Sequence, residues 1–430
     1  MISKEKFNLI NNYLLVVILC TLFFRSVSTL LIFVFAGFNL FNYKYLKFNT
    51  KYLFVLVVLT LPFLLEILFL WNNIGSGKLL KPIEKVISFF IFPFFILMNP
   101  KGYSIYKISD LYRKIMTLLI VILLIRFLII APEYVSKYVR GIHLWEMGYV
   151  ISNSFGNHAP VVNMHIAFVV VLNLYFLLKN YPQKILMNIS FLIMSVISLF
   201  IINTRLALGS CIICCFIVVF SYAYKKYNKK SIYAMISFVV LTAIILFTAF
   251  ATNPYMKEKY SKVTFANMDK IGRLDEVENP DNVLHNALVT RVSIWKSATE
   301  LGYKRVFTGY GSANAKEKLV EYFKDTNQQF LAKYKFPVHN QFFDYFLRFG
   351  IIGFVGLLFY FFTMFRISFL SKNLIGLCFV LNFLFSNLFD DFLIRFQGIV
   401  YSAIWFSLIV ITATPVLFFK SIKYKRVNNN

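Results

Sequence analysis

HNQFFDYFLRFGIIG, residues 339–353, is the joint at which this chain changes solvent. Upstream of it runs one long polar segment, about residues 252–341; from it the chain turns apolar and stays so to about residue 365. On the far side of the polar segment, the runs 185–203 and 206–224 are apolar and are joined only by Asn203, Thr204 and Arg205, which implies a tight helical hairpin. Apolar runs of this length and continuity are membrane helices rather than core helices of a soluble domain. The polar segment between them is too long to be a simple connection.

Composition agrees. The chain has 430 residues, 59% of them hydrophobic, with a mean hydropathy of +0.68 and 51 Phe. The apolar runs do not alternate as the strands of a membrane β-barrel do. The fold class expected is therefore an all-α polytopic membrane protein. The formal charge of +26 suggests nucleic acid at first sight. Most of that charge sits in short loops between apolar runs, where anchoring and topology explain it, so no nucleic-acid partner is expected. The excess left in the polar segment suits an anionic substrate. Cys20, Cys211, Cys214, Cys215 and Cys378 all fall within apolar runs, which argues against disulfides and against metal ligation by thiolates. The stretch KEKFNLINNYLLVVILCTLFF (4–24) has no small-residue cleavage site after it, and we read it as a first, retained helix.

The pattern gives about twelve transmembrane helices, near 7–24, 26–42, 52–71, 84–98, 115–131, 161–178, 185–203, 206–224, 233–251, 342–365, 373–389 and 398–419. Lys and Arg crowd one set of alternate loops, including Lys4 and Lys6, Lys44 to Lys51, Lys101 to Lys114 and Lys225 to Lys230. The opposite short loops carry fewer: Arg25, Lys78, Lys81, Lys85, Lys137, Arg140, Arg205 and Arg395. Both termini are then cytoplasmic, and the polar segment, with a shorter one at 132–160, faces outward. Three parts follow: helices one to nine over 1–251, a large outer loop with short helices over 252–341, and helices ten to twelve with a cytoplasmic tail over 342–430.

Within the outer loop, residues 288–301 read as a helix stopped by Gly302, and 313–324 (ANAKEKLVEYFK) as another. FTGYGSA (307–313) between them reads as a glycine-rich turn. Arg291 and Trp295 share a helix face in the first. His339 stands where the loop re-enters the membrane and is suited to act as a base near neutral pH, with Asn340 beside it to orient it. Gly350 and Gly353 allow close helix contact in the span that follows, and Asp344 and Arg348 are spaced as an i,i+4 pair. Arg205, at the hairpin tip, is either a snorkelling anchor or an anion clamp. Glu66 and Arg126, inside spans three and five, face the bundle interior and are candidates to pair. His158 and His165, seven apart, read as core or pocket lining. Asp390 and Asp391 form a carboxylate pair too small to define a cation site. No nucleotide-binding loop, dinucleotide fingerprint, HExxH or GxSxG is present.

His339-Asn340 followed by Gly350 and Gly353 resembles the histidine element of O-antigen ligases. Arg291 with Gly302 resembles the Arg-spacer-Gly element shared by O-antigen ligases and polymerases, and Arg205 resembles the family's arginine at the outer end of a helix. The order of the three agrees as well. Where the family places leucine four positions after the hairpin arginine, this chain has Gly209. The resemblance implies a glycosyltransferase of the GT-C type in the bacterial inner membrane, needing no metal and no cofactor, with its active site on the periplasmic face. It implies His339 as catalytic base and Arg205 and Arg291 as ligands of the donor diphosphate. Asn340, Trp295, Gly350 and Gly353 would support them. The donor would be a glycan on undecaprenyl diphosphate and the acceptor lipid A–core or another glycan. Ligation is the favoured activity, polymerisation the runner-up. A lipid-linked glycan flippase is the alternative from another class. Its charges should line a central cavity rather than gather in an outer loop.

Overall fold

The computed structural model describes residues 2–74, 77, 79–140, 147–180, 182–252, 265–284 and 288–413. Among them every regular element is helical. Thirteen α-helices precede the long polar segment: α1 (Lys4–Cys20), α2 (Arg25–Phe41), α3 (Leu53–Leu59), α4 (Leu61–Leu68), α5 (Lys81–Val86), α6 (Ser88–Met98), α7 (Ile105–Ile130), α8 (Pro132–Val139), α9 (Met147–Asn153), α10 (Ala159–Lys179), α11 (Ile185–Ile202), α12 (Arg205–Tyr227) and α13 (Ser231–Thr252). The outer segment adds α14 (Pro280–Val283), α15 (Leu288–Tyr303), α16 (Ala315–Asp325) and α17 (Gln329–Tyr334). The chain closes with α18 (Gln341–Leu370), α19 (Leu374–Phe389) and α20 (Phe396–Ile411).

Four of these helices, α10, α11, α12 and α18, are long and apolar enough to cross a membrane by themselves, and the bent pair α3–α4 makes a fifth if it is one span. The expected continuous helix over 52–71 is thus broken. The two pieces meet at 65°, because Pro62 sits in the first turn of α4 and the Thr60 hydroxyl bonds back to the Leu56 carbonyl at 2.9 Å. The run 84–98 is likewise split into α5 and α6 at Ile87.

α10 is apolar all round and buried along most of its length, as is α20; α11 presents an apolar face outward. Phe168 and Tyr401 lie on facing helices in this core, with Phe379 and Trp405 packed between them. All five cysteines are buried and free. His165 belongs here too. Its ring lies 4.0 Å from that of Tyr401 and its Nδ1 is 3.2 Å from the Tyr112 hydroxyl. Arg113, counted above with the loop cations, is buried in α7, where it bonds Asp110, Asn173 and Asn188.

Polar contacts mark the two ends of the bundle. At one end Asn99 bonds Asn8, Asn12 bonds the Gly102 carbonyl and Asn373 bonds Thr412. At the other Asn157 bonds the Phe23 carbonyl, Gln397 bonds Asn157 and Asn72 bonds the Thr308 carbonyl. The chain returns to each end on alternate passes, and the second end carries the long polar segment.

That segment has its own core, built from Leu274, Val289, Ile294, Leu301, Leu319, Phe323, Leu331 and Val338. Two expectations are corrected here. Gly302 does not stop its helix; α15 runs on to Tyr303, and Gly302 lacks a side chain because the Phe346 ring occupies the space. Gly350 does not sit in a continuous helix. It interrupts α18 with φ 63° and ψ −157°, a conformation open almost only to glycine. The glycine-rich turn docks into this break. Ile351 N–H donates to the Val306 carbonyl at 2.6 Å, and the N–H groups of Tyr310 and Gly311 donate to the carbonyls of Leu347 and Arg348, both at 2.9 Å. Gly309 and Gly311 supply the positive φ the turn needs. Just above the break Arg348 pairs with Asp344 at 3.0 Å, the expected i,i+4 pair, and with Glu66 at 3.6 Å. Glu66 therefore pairs with Arg348 and accepts from Ser312; Arg126 instead donates to the Ser154 carbonyl at 3.5 Å.

Candidate active site

His339 ends the outer segment at φ +53°, a left-handed turn that redirects the chain into α18. Asn340 fixes this turn. Its side-chain oxygen accepts from the N–H groups of Phe342 and Phe343 at 2.9 and 3.2 Å, and its amide donates to the Leu388 carbonyl at 2.8 Å. Trp295 holds the same point from the other side, its indole N–H donating to the His339 carbonyl at 3.3 Å. Asn340 and Trp295 thus place the His339 backbone; the ring is oriented by another group.

That group is Asp390. Its Oδ1 lies 3.3 Å from His339 Nδ1 and accepts from the Asp391 N–H at 2.9 Å. Arg395 approaches both carboxylates, at 3.5 Å from Asp390 and 3.6 Å from Asp391. Burial opposes charge on either aspartate. The hydrogen bonds from His339 and from the Asp391 segment, with the Arg395 charge, nonetheless hold Asp390 well below the usual carboxylate range. Burial and the neighbouring Asp390 charge push Asp391 well above it. The pair shares one negative charge, and that charge faces His339. An ionised Asp390 accepts, so in the neutral ring the tautomer it favours has the proton on His339 Nδ1 and the lone pair on Nε2.

The other predicted residues arrive from different elements. Arg291 lies in the first turn of α15, partly buried. Arg205 opens α12, also partly buried, and the hairpin tip before it is pinned by Asn163, whose amide donates to the Thr204 hydroxyl at 3.0 Å. α9 seats against that tip. Gly148 meets the Ile202 carbonyl so closely that no side chain fits between them. The next residue, Tyr149, is within electrostatic reach of Arg291, Asp390, Arg205 and Arg395 together. His158, whose ring packs edge-on to Tyr149 at 5.7 Å, is within reach of Arg395, Asp390, His339 and Arg291. Burial first, then the Arg395 charge, lowers His158 to about 4 and keeps it neutral. The structure therefore brings Arg205, Arg291 and His339 to one place. Gly350 lies further along α18 and shapes the docking of the outer turn instead, while at Gly353 the Phe349 side chain and the Tyr345 carbonyl fill the space a side chain would take.

In the sequence Arg395 reads only as a loop charge, Tyr149 carries no signal, His158 reads as core or pocket lining and Asp390 as half of a carboxylate pair. A signal existed for the last two, since both are polar residues bordering apolar runs. Each of His158, Arg205, Asn340 and Arg395 also stands at or just before the N-terminus of a helix: α10, α12, α18 and α20. Helix N-termini carry partial positive charge and unpaired N–H groups. Three arginines and several helix starts gathered near one histidine make this end of the bundle strongly positive. The His339, Asp390 and Asp391 ligand atoms lie within 4.8 Å of one another, a spacing a metal ion tolerates. Arg395 already supplies a cation to both carboxylates there.

Residues 189–358 match the family model described as O-antigen ligase. The matched stretch contains Arg205, Arg291, His339, Gly350 and Gly353; Tyr149, His158, Asp390 and Arg395 lie outside it. No curated protein matches the chain.

Proposed function

We propose that this chain, which through residues 189–358 belongs to the O-antigen ligase superfamily, transfers a glycan from undecaprenyl diphosphate to an acceptor hydroxyl at the periplasmic face of the inner membrane. The observation that carries the proposal is the convergence of Arg205, Arg291 and Arg395 with His339 and Asp390 at one end of the bundle. A flippase needs its cations along a path through the membrane, whereas these gather at a single face.

The chemistry follows from the site. The arginines and helix N-termini hold the donor diphosphate and stabilise the charge it gains as a leaving group. His339 Nε2 takes the proton of the acceptor hydroxyl as its oxygen attacks the anomeric carbon. The bond from that carbon to the diphosphate oxygen breaks, and the electron pair leaves with the lipid diphosphate. One displacement inverts the anomeric configuration. Asp390 stabilises the imidazolium that forms. In this reading Arg395 provides the countercharge for the two aspartates, and the displacement calls on no metal.

Lipid A–core is the acceptor we favour; polymerisation onto another lipid-linked unit is the alternative. Mass spectrometry of lipid A–core and of lipid-linked glycans in a deletion strain separates them. Bare core with long lipid-linked chains means ligase, core bearing one repeat unit means polymerase, and an unchanged glycan profile rejects both. The outward assignment has its own test. Lys316→Cys should react with a membrane-impermeant thiol reagent in spheroplasts and Lys372→Cys should not, against a background of five buried cysteines.

A further inference from the structure

A second group of cations lies on the same face, outside the arginine cluster. Lys81 and Lys85 are one helical turn apart on α5, and both are exposed. Lys85 is within electrostatic reach of Arg25, at the start of α2, and of Arg348 and Glu66. The Arg25 guanidinium lies 5.6 Å from the centroid of the Phe396 ring, the residue after Arg395. The group therefore borders the loop that serves the candidate active site.

Its charge is not balanced internally. Glu66 and Asp344 are both engaged by Arg348. Glu84, the carboxylate of α5, lies between the two lysines in sequence and is exposed, leaving three cations around one unengaged carboxylate. Among the described residues no carboxylate lies within ion-pair distance of Arg25, Lys81 or Lys85. Outward loops of membrane proteins are ordinarily poor in Lys and Arg, so cations kept there call for a function. Beside them the surface is apolar: Leu30 and Phe33 on α2, and Ile87 and Phe90 at the start of α6, are exposed. Cations above an apolar wall fit an anion that carries acyl chains better than one free in water.

We propose that Arg25, Lys81 and Lys85 form an anion subsite for the phosphorylated headgroup of a lipid-anchored glycan acceptor, separate from the arginines that hold the donor. The assignment rests on the glycosyl-transfer reading above. Two lipids must meet in that reaction, both anionic, and a single cluster would make them compete. The Arg25–Phe396 contact sets the second cluster next to the first, so the two headgroups lie side by side.

The test uses the full chain in nanodiscs and the triple variant Arg25→Gln, Lys81→Gln, Lys85→Gln. Retention of a bis-phosphorylated glycolipid, of its enzymatically dephosphorylated form and of phosphatidylglycerol is read by native mass spectrometry. Transfer from a synthetic lipid-diphosphate glycan is measured in parallel. We expect the wild type to prefer the phosphorylated glycolipid. The variant should lose about 10- to 100-fold in apparent affinity for it, with KM for the donor and kcat little changed. Equal losses for both glycolipids, equal retention of phosphatidylglycerol, or a raised donor KM would each overturn the subsite. Phosphate-dependent retention without any transfer would leave the subsite standing and reject the glycosyl-transfer reading instead.

Discussion

Asp390 stands directly behind His339, its Oδ1 3.3 Å from Nδ1, and is buried where His339 is partly open. A carboxylate so placed fixes which ring nitrogen carries the proton. Asp390→Asn keeps the shape but removes the charge, and should lower kcat by about 10²–10⁴-fold, as loss of a positioned acid–base group does. His339→Ala should lose a similar factor. Donor KM should hold in both. A fall in donor affinity in step with turnover would make His339 a phosphate ligand.

The three arginines should separate by phenotype. Arg205→Ala and Arg291→Ala should reduce transfer by about 10²-fold or more without loss of protein from the membrane. Lysine should rescue poorly, because a point charge does not make the bidentate contact. Arg395→Ala should in addition destabilise the protein, by up to about 3–5 kcal/mol, since it strips the cation from two buried aspartates. Thermal unfolding in detergent, set beside turnover, tells these effects apart. Wild-type transfer by Arg205→Ala would reduce it to an anchor.

Gly350→Ala should cost about 1–3 kcal/mol from backbone strain alone, before the collision with the Val306 carbonyl. The outer turn should then undock. Faster proteolysis within 304–318 and reduced transfer are expected together; a variant as stable as wild type removes the docking role.

His158 gives a pH dependence with a defined sign. It is held at about 4 in the folded protein against about 6.5 when unfolded. Between those values the unfolded chain binds more protons, so stability falls as pH drops from about 6.5 to about 4 and levels off below. His158→Gln should flatten this part of the profile, measured as the unfolding midpoint against pH. A profile identical to wild type would show that other groups set it.

Chelators should leave transfer unchanged. Loss of activity with EDTA, restored by a divalent ion, would assign His339, Asp390 and Asp391 to a metal instead.

Hydropathy made the membrane class, the hairpin at Arg205, the long polar segment and its exit at His339 legible in the sequence, because each is a local signal. The breaks at Pro62 and Gly350 left a trace too, but apolar runs read as continuous until a packed neighbour shows why one bends. The short helix Gln329–Tyr334 was missed, since six residues give little periodicity. Arg395 and Tyr149 were invisible as site residues. Nothing in a short loop or a seven-residue helix says which distant charge it will face, and their meaning comes from Tyr149 and Arg395 coming within electrostatic reach of each other across more than two hundred positions.

α18 borders both hydrophobic cores: Leu347 belongs to the outer one, Phe342, Tyr345 and Phe349 to the one within the bundle. Its first residues are likewise tied both ways, His339 to Trp295 above and Asn340 to the Leu388 carbonyl beside Asp390. His339 and Asp390 thus stand at adjoining ends of the packed helices α18 and α19, held in register by these contacts. Bilayer thickness sets helix tilt, and tilt would shift that register. In the proposed reaction, membrane thickness would then act on the rate through that register.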